Sequence, residues 1–419
     1  PATDAGNSIH LHRATASDRE LLKSSRAEEP GREPAPSFVI KTDNNNFVMT
    51  IGGEINPILG WDIGNDLYKQ DGAGISFVTS SIPVPSMQGH RSDYFINPLN
   101  GHLFLQIVGF ASTPNQISAY LKAGTNGEDS KIVLKRAYMS WRNFTAGLKL
   151  TLFQDANACQ PPTIDPQGPS GCATTAAYEI GYTSKSYNGF RFAVAIDMPS
   201  YYTSQGYYRG KDYPIFDGQQ VLNGNVEEMV PDIPAWVEYS WSKMNRVRLS
   251  GLFRHYAYRD LVADKRRGVI GWGAMLSGNL QPAKPVTFYY QFVYGHGIGA
   301  YIQDIAGKPI SFVPDNAAPG KMKTAPMMGA NIGVSINPTP KLQFNAMFSE
   351  ARIWDVSDYC NALPEDQNYK YALYGAVNCF YNITSYLQVG VEYLYGHRQT
   401  WNIGGADDSR IQTQLAFTF

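Results

Sequence analysis

From Phe38 to Phe419 apolar and polar residues alternate with a period of two, the spacing at which side chains point to opposite faces of a strand. In SYLQVGVEYLYGHR the apolar row is Leu387, Val389, Val391, Tyr393 and Tyr395, and Gln388, Glu392 and Arg398 lie opposite it. In SRIQTQLAFTF, Ile411, Thr413, Leu415, Phe417 and Phe419 oppose Arg410, Gln412 and Gln414. NRVRLSGLFRHYAY sets Val247, Leu249 and Phe253 against Arg246, Arg248, Ser250 and Arg254, and PVTFYYQFVYG sets Phe288, Tyr290 and Phe292 against Thr287, Tyr289 and Gln291. One face prefers oil and the other water. At about ten residues or more, these strands are long for a soluble sheet and suit a tilted crossing of a bilayer.

Connections supply a second signal. Short ones at 111–116, 142–144, 186–189, 242–245, 281–285, 337–341 and 382–385 interleave with polar stretches near 63–100, 124–130, 155–174, 200–232, 260–267, 298–324, 355–368 and 402–409. Seven short turns and eight longer loops predict an all-β, transmembrane antiparallel β-barrel of about 16 strands, with the tight turns at the periplasmic end and the loops outside. A soluble sandwich has no reason to keep every long loop at one end. The terminal Phe417 and Phe419 fit a lipid-facing row, and Trp61, Trp141, Trp236, Trp241, Tyr395 and Trp401, near strand ends, read as interfacial girdles. Residues 37–419 are therefore the expected barrel.

Residues 1–36 read as a polar periplasmic segment, with one helical signal where Ser17 precedes Glu20 in a capping box. PATDAGNSIHLH has no basic start followed by an apolar run, so an export signal is expected to have been removed or never present. Composition agrees with the barrel. Only 17% of residues are charged, 13% are aromatic, and 27 Tyr, 20 Phe and 39 Gly favour pleated surfaces and tight turns. Lys and Arg number 35 against 36 Asp and Glu, without the basic excess of a nucleic-acid binder. No stretch approaches the roughly 20 apolar residues of a membrane-spanning helix.

Cys159 and Cys172 share the Pro- and Gly-rich segment CQPPTIDPQGPSGC, and a loop-stapling disulfide in an oxidising compartment is expected there. Cys360 and Cys379 are expected as free thiols; no His stands at ligand spacing for a zinc site.

Beyond these patterns, KRAYMSW (135–141), AGLKLTLFQD (146–155), EYLYGHRQTW and DSRIQTQLAFTF make the chain similar to Gram-negative trimeric porins, and among them it most resembles the DcaP-like porins. The resemblance implies a homotrimer in the bacterial outer membrane. It also implies that the loop at about 155–174, with Asp155, Cys159, Asp165 and Cys172, folds inward and narrows a channel. The short N-terminal segment departs from group members that carry a long periplasmic coiled coil.

On the water-facing rows alternation places Lys122, Lys135, Lys149, Arg191, Arg246, Arg248, Arg254, Arg398 and Arg410, against Glu54, Glu179, Asp197, Glu238 and Glu392. Nine basic against five acidic groups predict an anion-attracting lumen. Pairing across strands, which would merely hold the interior together, stays open. Acidic runs at 127–130, 226–229 and 364–367 read as solvated loop charge, with divalent cations beside lipopolysaccharide as the alternative. The seven His show no catalytic spacing with Ser and Asp; His90 and His296 lie near loops. Neither a phosphate-binding glycine motif nor a metal or cofactor signature is present. The expected function is a porin for small hydrophilic solutes, preferring anions such as small carboxylates, with membrane lipid and lipopolysaccharide as neighbours. An outer-membrane barrel enzyme and a non-conducting structural or adhesive barrel are the alternatives.

Overall fold

The computed structural model describes residues 9–15, 17–18, 22, 38–42, 46–65, 67, 74–84, 92–98, 100–111, 113–125, 132–199, 223–228, 230–260, 263–308, 310–318, 320–361, 363, 365 and 368–419. Glu20, His90 and the acidic run at 127–130 lie outside them, as do the side chains at 226–229 and most of 364–367. Among the described residues no helix is long and apolar enough to cross a membrane.

Two short strands precede the ring, β1 (Ile9–Arg13) and β2 (Phe38–Thr42), and they pair with each other. A β1 strand was not legible in the polar N-terminal segment. The ring begins with one long strand interrupted at Asn56 and Pro57 into β3 (Phe47–Ile55) and β4 (Ile58–Ile63). Its partner is likewise in two pieces, β5 (Asp93–Asn97) and β6 (Gly101–Gly109). There follow β7 (Ile117–Thr125), β8 (Ile132–Trp141), β9 (Phe144–Leu150), β10 (Ala176–Thr183) and β11 (Phe190–Pro199). Segments β12 (Asn223–Glu228) and β13 (Ile233–Ser240) both pair with β14 (Arg246–Asp260), which leads to β15 (Lys265–Ala283) and β16 (Val286–His296). A separate hairpin, β17 (Phe312–Pro314) and β18 (Met322–Thr324), lies within the next loop. The ring resumes with β19 (Pro326–Thr339), β20 (Leu342–Ile353), β21 (Tyr371–Asn382), β22 (Leu387–Gln399) and β23 (Gly405–Thr418).

Every ring pairing is antiparallel, and β23 closes on the first strand through Phe417–Ile55 and Ser409–Ile63. The result is a closed barrel of 16 strands. The expected turns are in place. The one at Asn188–Gly189 needs positive φ at both residues (50° and 85°), which Asn and Gly tolerate best.

The apolar row of each strand is the outer one. On β22 Val391 and Tyr393 are exposed, whereas Glu392 is buried inside. Trp61, Trp141, Trp241 and Tyr395 are exposed on the outer wall as a girdle requires; Trp401 is only partly exposed, packed against a buried cluster, and Trp236 is buried. It is 4% exposed, against 50% for Trp241, and it shares the inward row of β13 with Glu238. Two nearby Trp look alike in sequence, but an odd number of residues between them puts them on the same face of a strand and an even number on opposite faces.

Candidate functional site

The loop between β9 and β10, residues 151–175 and here L3, lies inside the barrel, and side chains from distant strands hold it there. Its Asp155 is fully buried and accepts from Arg246 Nη2 at 2.5 Å and from Ser277 Oγ at 2.6 Å. Burial works against ionisation of Asp155, but Arg248 and Arg246 outweigh it and hold the carboxyl below its ordinary range. Farther along, Glu392 of β22 accepts from Thr163 Oγ1 at 2.6 Å and from the backbone N–H groups of Ile164 and Asp165 at 3.1 and 2.9 Å. Ser349 Oγ accepts from Gly171 N at 2.7 Å and Gln291 Oε1 from Ala173 N at 2.7 Å. Cys159 and Cys172 are disulfide-bonded as expected, with Cα atoms 5.8 Å apart, while Cys360 and Cys379 are free. An inward loop would strand its backbone polar groups; here inward-facing side chains of the barrel satisfy many of them.

L3 is joined by a second inward segment, here L1, of which residues 64, 65, 67 and 74–84 are described. Arg410 of β23 binds Asp62 through two nitrogens, at 2.5 and 3.1 Å, and donates to the Ile75 carbonyl at 2.9 Å. Arg398 of β22 donates to the carbonyls of Ile82 (3.1 Å), Glu365 (2.6 Å) and Asn368 (3.0 Å). L1 meets L3 where Asp165 accepts from Phe77 N and from Tyr374 OH, both at 3.0 Å. Burial pushes the Asp165 carboxyl up to about 7, the Phe77 hydrogen bond opposing it and Glu392 reinforcing it. The loop between β16 and β19 contributes Asp304, which accepts from Ser80 N at 3.0 Å and from Tyr369 OH at 2.9 Å.

These contacts revise the reading of the basic rows. Arg246, Arg248, Arg254, Arg398 and Arg410 face inward as alternation requires, yet they are buried and engaged rather than presented as an open basic wall. Arg246 and Arg248 share Glu238, at 2.6 and 2.7 Å. Arg254 pairs with Asp232 at 2.9 Å and donates to the Gly297 carbonyl at 2.8 Å. Lys149 pairs with Glu179 at 2.6 Å, and Asp197 accepts from Thr151 of L3. The basic excess counted along strands is offset by Asp62, Asp155, Asp165 and Asp232, which that count omitted. Asp62 follows from alternation along β4; Asp155 and Asp165 enter the lumen only because L3 turns inward. At Lys135 the ladder shifts between Lys122 and Ala123, and it is Arg136 that shares the face of Tyr138 and Ser140.

A cavity of about 1080 Å³ lies between L3 and the wall formed by β7–β11, β13 and β14. Arg142, Lys149, Lys185, Arg191 and Arg248 line it, together with hydroxyls such as Ser118 and Ser140, and no carboxylate is among the described lining residues. Glu179, Glu238 and Asp155 lie behind this surface, buried against their partners.

Neither a family model nor a curated protein matches the chain. Solved structures do. The outer-membrane channel DcaP of Acinetobacter baumannii is similar over 90% of this chain and 99% of its own, with a TM-score of 0.69 and 15% identity. OmpF of Salmonella typhi, solved in complex with daunomycin, is similar over 90% and 99% (TM-score 0.52, 9% identity). An anion-selective porin from Comamonas acidovorans is similar over 89% and 100% (TM-score 0.51, 10% identity). The chain thus has the fold of outer-membrane porins and channels, including that of DcaP.

Proposed function

We propose that this protein is an outer-membrane porin, a passive diffusion channel for small hydrophilic solutes that prefers anions. One observation carries the anion preference: the cavity beside L3 is lined by five basic side chains and no carboxylate among its described residues. Paired carboxylates behind that surface reduce the net charge but leave the cationic ends nearer the solute path, and a narrow low-dielectric tube focuses their field. Arg can grip a carboxylate through two nitrogens, and several weak sites in series let it leave again. Small carboxylated solutes are therefore the proposed cargo.

The same reading makes L3 the constriction, places the short turns and residues 1–36 on the periplasmic side, and has the barrel act as a homotrimer among lipid and lipopolysaccharide, without enzymatic chemistry. A protease added outside intact cells should spare the turn at 242–245. Planar-bilayer recordings test the function. Steady conductance and a reversal potential of anion-selective sign in a KCl gradient are expected, and the preference should fade as the Debye length falls from about 10 Å at 0.1 M salt to about 3 Å at 1 M. A cation-selective sign overturns the preference, and a barrel that never conducts overturns the pore.

A further inference from the structure

Trp236 lies on the middle strand of three, and the register around it is specific. Arg191 of β11, Glu238 of β13 and Arg248 of β14 stand in one row across the wall. In the next row, Trp236 is flanked by Ala193 and Ser250. Small residues on both sides leave room for the indole to spread across the inner wall. The Arg248 guanidinium lies 4.1 Å from the ring centroid and that of Arg191 lies 5.4 Å away, so both neighbouring strands direct a cation at the same ring. The ring also packs against Leu152 of L3 together with Ala193 and Ala195, and all three charged or aromatic groups, Arg191, Trp236 and Arg248, line the open cavity.

Glu238 is the competing attraction. It already receives Arg248 at 2.7 Å and Arg246 at 2.6 Å, and it stands directly opposite Arg191 in the register. Arginines drawn wholly onto that carboxylate would bring little positive field to the passage. An aromatic face offers them a second, uncharged partner, strongest where water is excluded, and the indole is almost wholly buried.

We propose that Trp236 is a selectivity-determining positioning residue, which holds the Arg191 and Arg248 guanidiniums against the cavity between L3 and the wall and so sets how strongly the passage favours anions. This rests on the anion-preferring porin reading and names a residue that carries it.

The test compares reversal potentials and single-channel conductance in a KCl gradient for the full-length wild type, Trp236→Leu and Trp236→Phe, with folding checked by the heat-dependent mobility of the barrel. Loss of the aromatic face in Trp236→Leu should lower the anion-to-cation permeability ratio by about threefold, from the modest strength of such contacts, and Trp236→Phe should recover most of that loss. Trp236→Met takes the place of the Leu variant should the latter not fold. A conductance rise with the wild-type ratio in the Leu or Met variant would make the indole a space-filler and overturn the proposal, as would a Phe variant no better than Leu. A cation-selective wild type overturns the porin's anion preference as well; an anion-selective wild type with an unaltered Leu variant overturns this inference alone.

Discussion

Asp155 in L3 and Arg246 on β14 are separated by 91 residues of sequence and meet at 2.5 Å inside the barrel. The contact is both a mooring of the inward loop and a neutralised charge, since Arg248 also comes within 3.8 Å of the same carboxylate. Asp155→Ala should therefore do two things. It leaves two buried guanidiniums with Glu238 as their nearest counter-ion, so anion preference rises. It also frees the start of L3, at a cost of about 3–5 kcal/mol for a broken buried pair. A larger permeability ratio together with a noisier open state in single-channel records is the expected outcome; an unchanged ratio would count against Asp155 as a charge shield. Replacing Arg246 and Arg248 together by Ala should move the reversal potential toward cation selectivity, because Asp155 and Glu238 then stand without them.

Arg410 and Arg191 should separate structural from selective roles. Arg410 is fully buried on Asp62 and the Ile75 carbonyl, so Arg410→Ala should loosen L1 and lower stability by about 3–5 kcal/mol while leaving the sign of selectivity unchanged. Arg191 borders the open cavity, and Arg191→Gln should lower the anion preference with little effect on unfolding. Unfolding in guanidinium and reversal potentials, measured on both variants, check the contrast.

Thiol counting tests the cysteines. In oxidised, folded protein, mass spectrometry after alkylation should find no label on Cys159 or Cys172. Cys360 closes a short helix, α1 (Ser357–Cys360), and burial pushes its thiol up to about 12, so it should react only after unfolding. Half-buried Cys379 should label before Cys360 does. The chain-entropy model gives roughly 3 kcal/mol for closing a loop of about 15 residues, so reduction should make L3 more accessible to protease.

The joint between L1 and L3 should respond to pH. Burial pushes the Asp165 carboxyl up to about 7 in the folded chain, from its ordinary 3.8. Its folded value is raised, so its contribution to stability is fully present below the ordinary value and is lost as pH rises from there through about 7. Glu392 adds repulsion to the charged form, whereas Arg410 and the Phe77 and Gln167 N–H groups favour it. Loop flicker in single-channel currents should become more frequent as pH rises from about 4 to about 7 and level off above that, and Asp165→Asn should flatten that dependence. A wild-type record without any pH dependence over that range would remove Asp165 as the responsible group.

Much of the fold is legible in the sequence because it is written in local periodicities. Val391 and Glu392 are neighbours in sequence and lie on opposite sides of the wall, and a period of two states this directly. The turn at Asn188–Gly189 announces itself by residues that accept positive φ. Trp236 shows where such reading stops. Its position near a strand end suggested the lipid interface, but a single-residue difference in register decides between lipid and lumen.

The sequence alone determined that this chain forms long strands with one apolar face, joined by alternating short and long connections, and that Cys159 and Cys172 lie close enough to bridge. Those properties follow from near neighbours. Only the tertiary structure decided what the charged rows do. Strand alternation places Arg246 and Glu392 inside but cannot say that L3 brings Asp155 to the one and the backbone of Ile164 to the other. Nor can it show that Arg398 and Arg410 grip L1 instead of lining the passage. Charge in a lumen is a sum over everything folded into it, and loops that turn inward bring their carboxylates from far along the chain. Coulomb energy depends on separation in space, which period and spacing fix only within a strand.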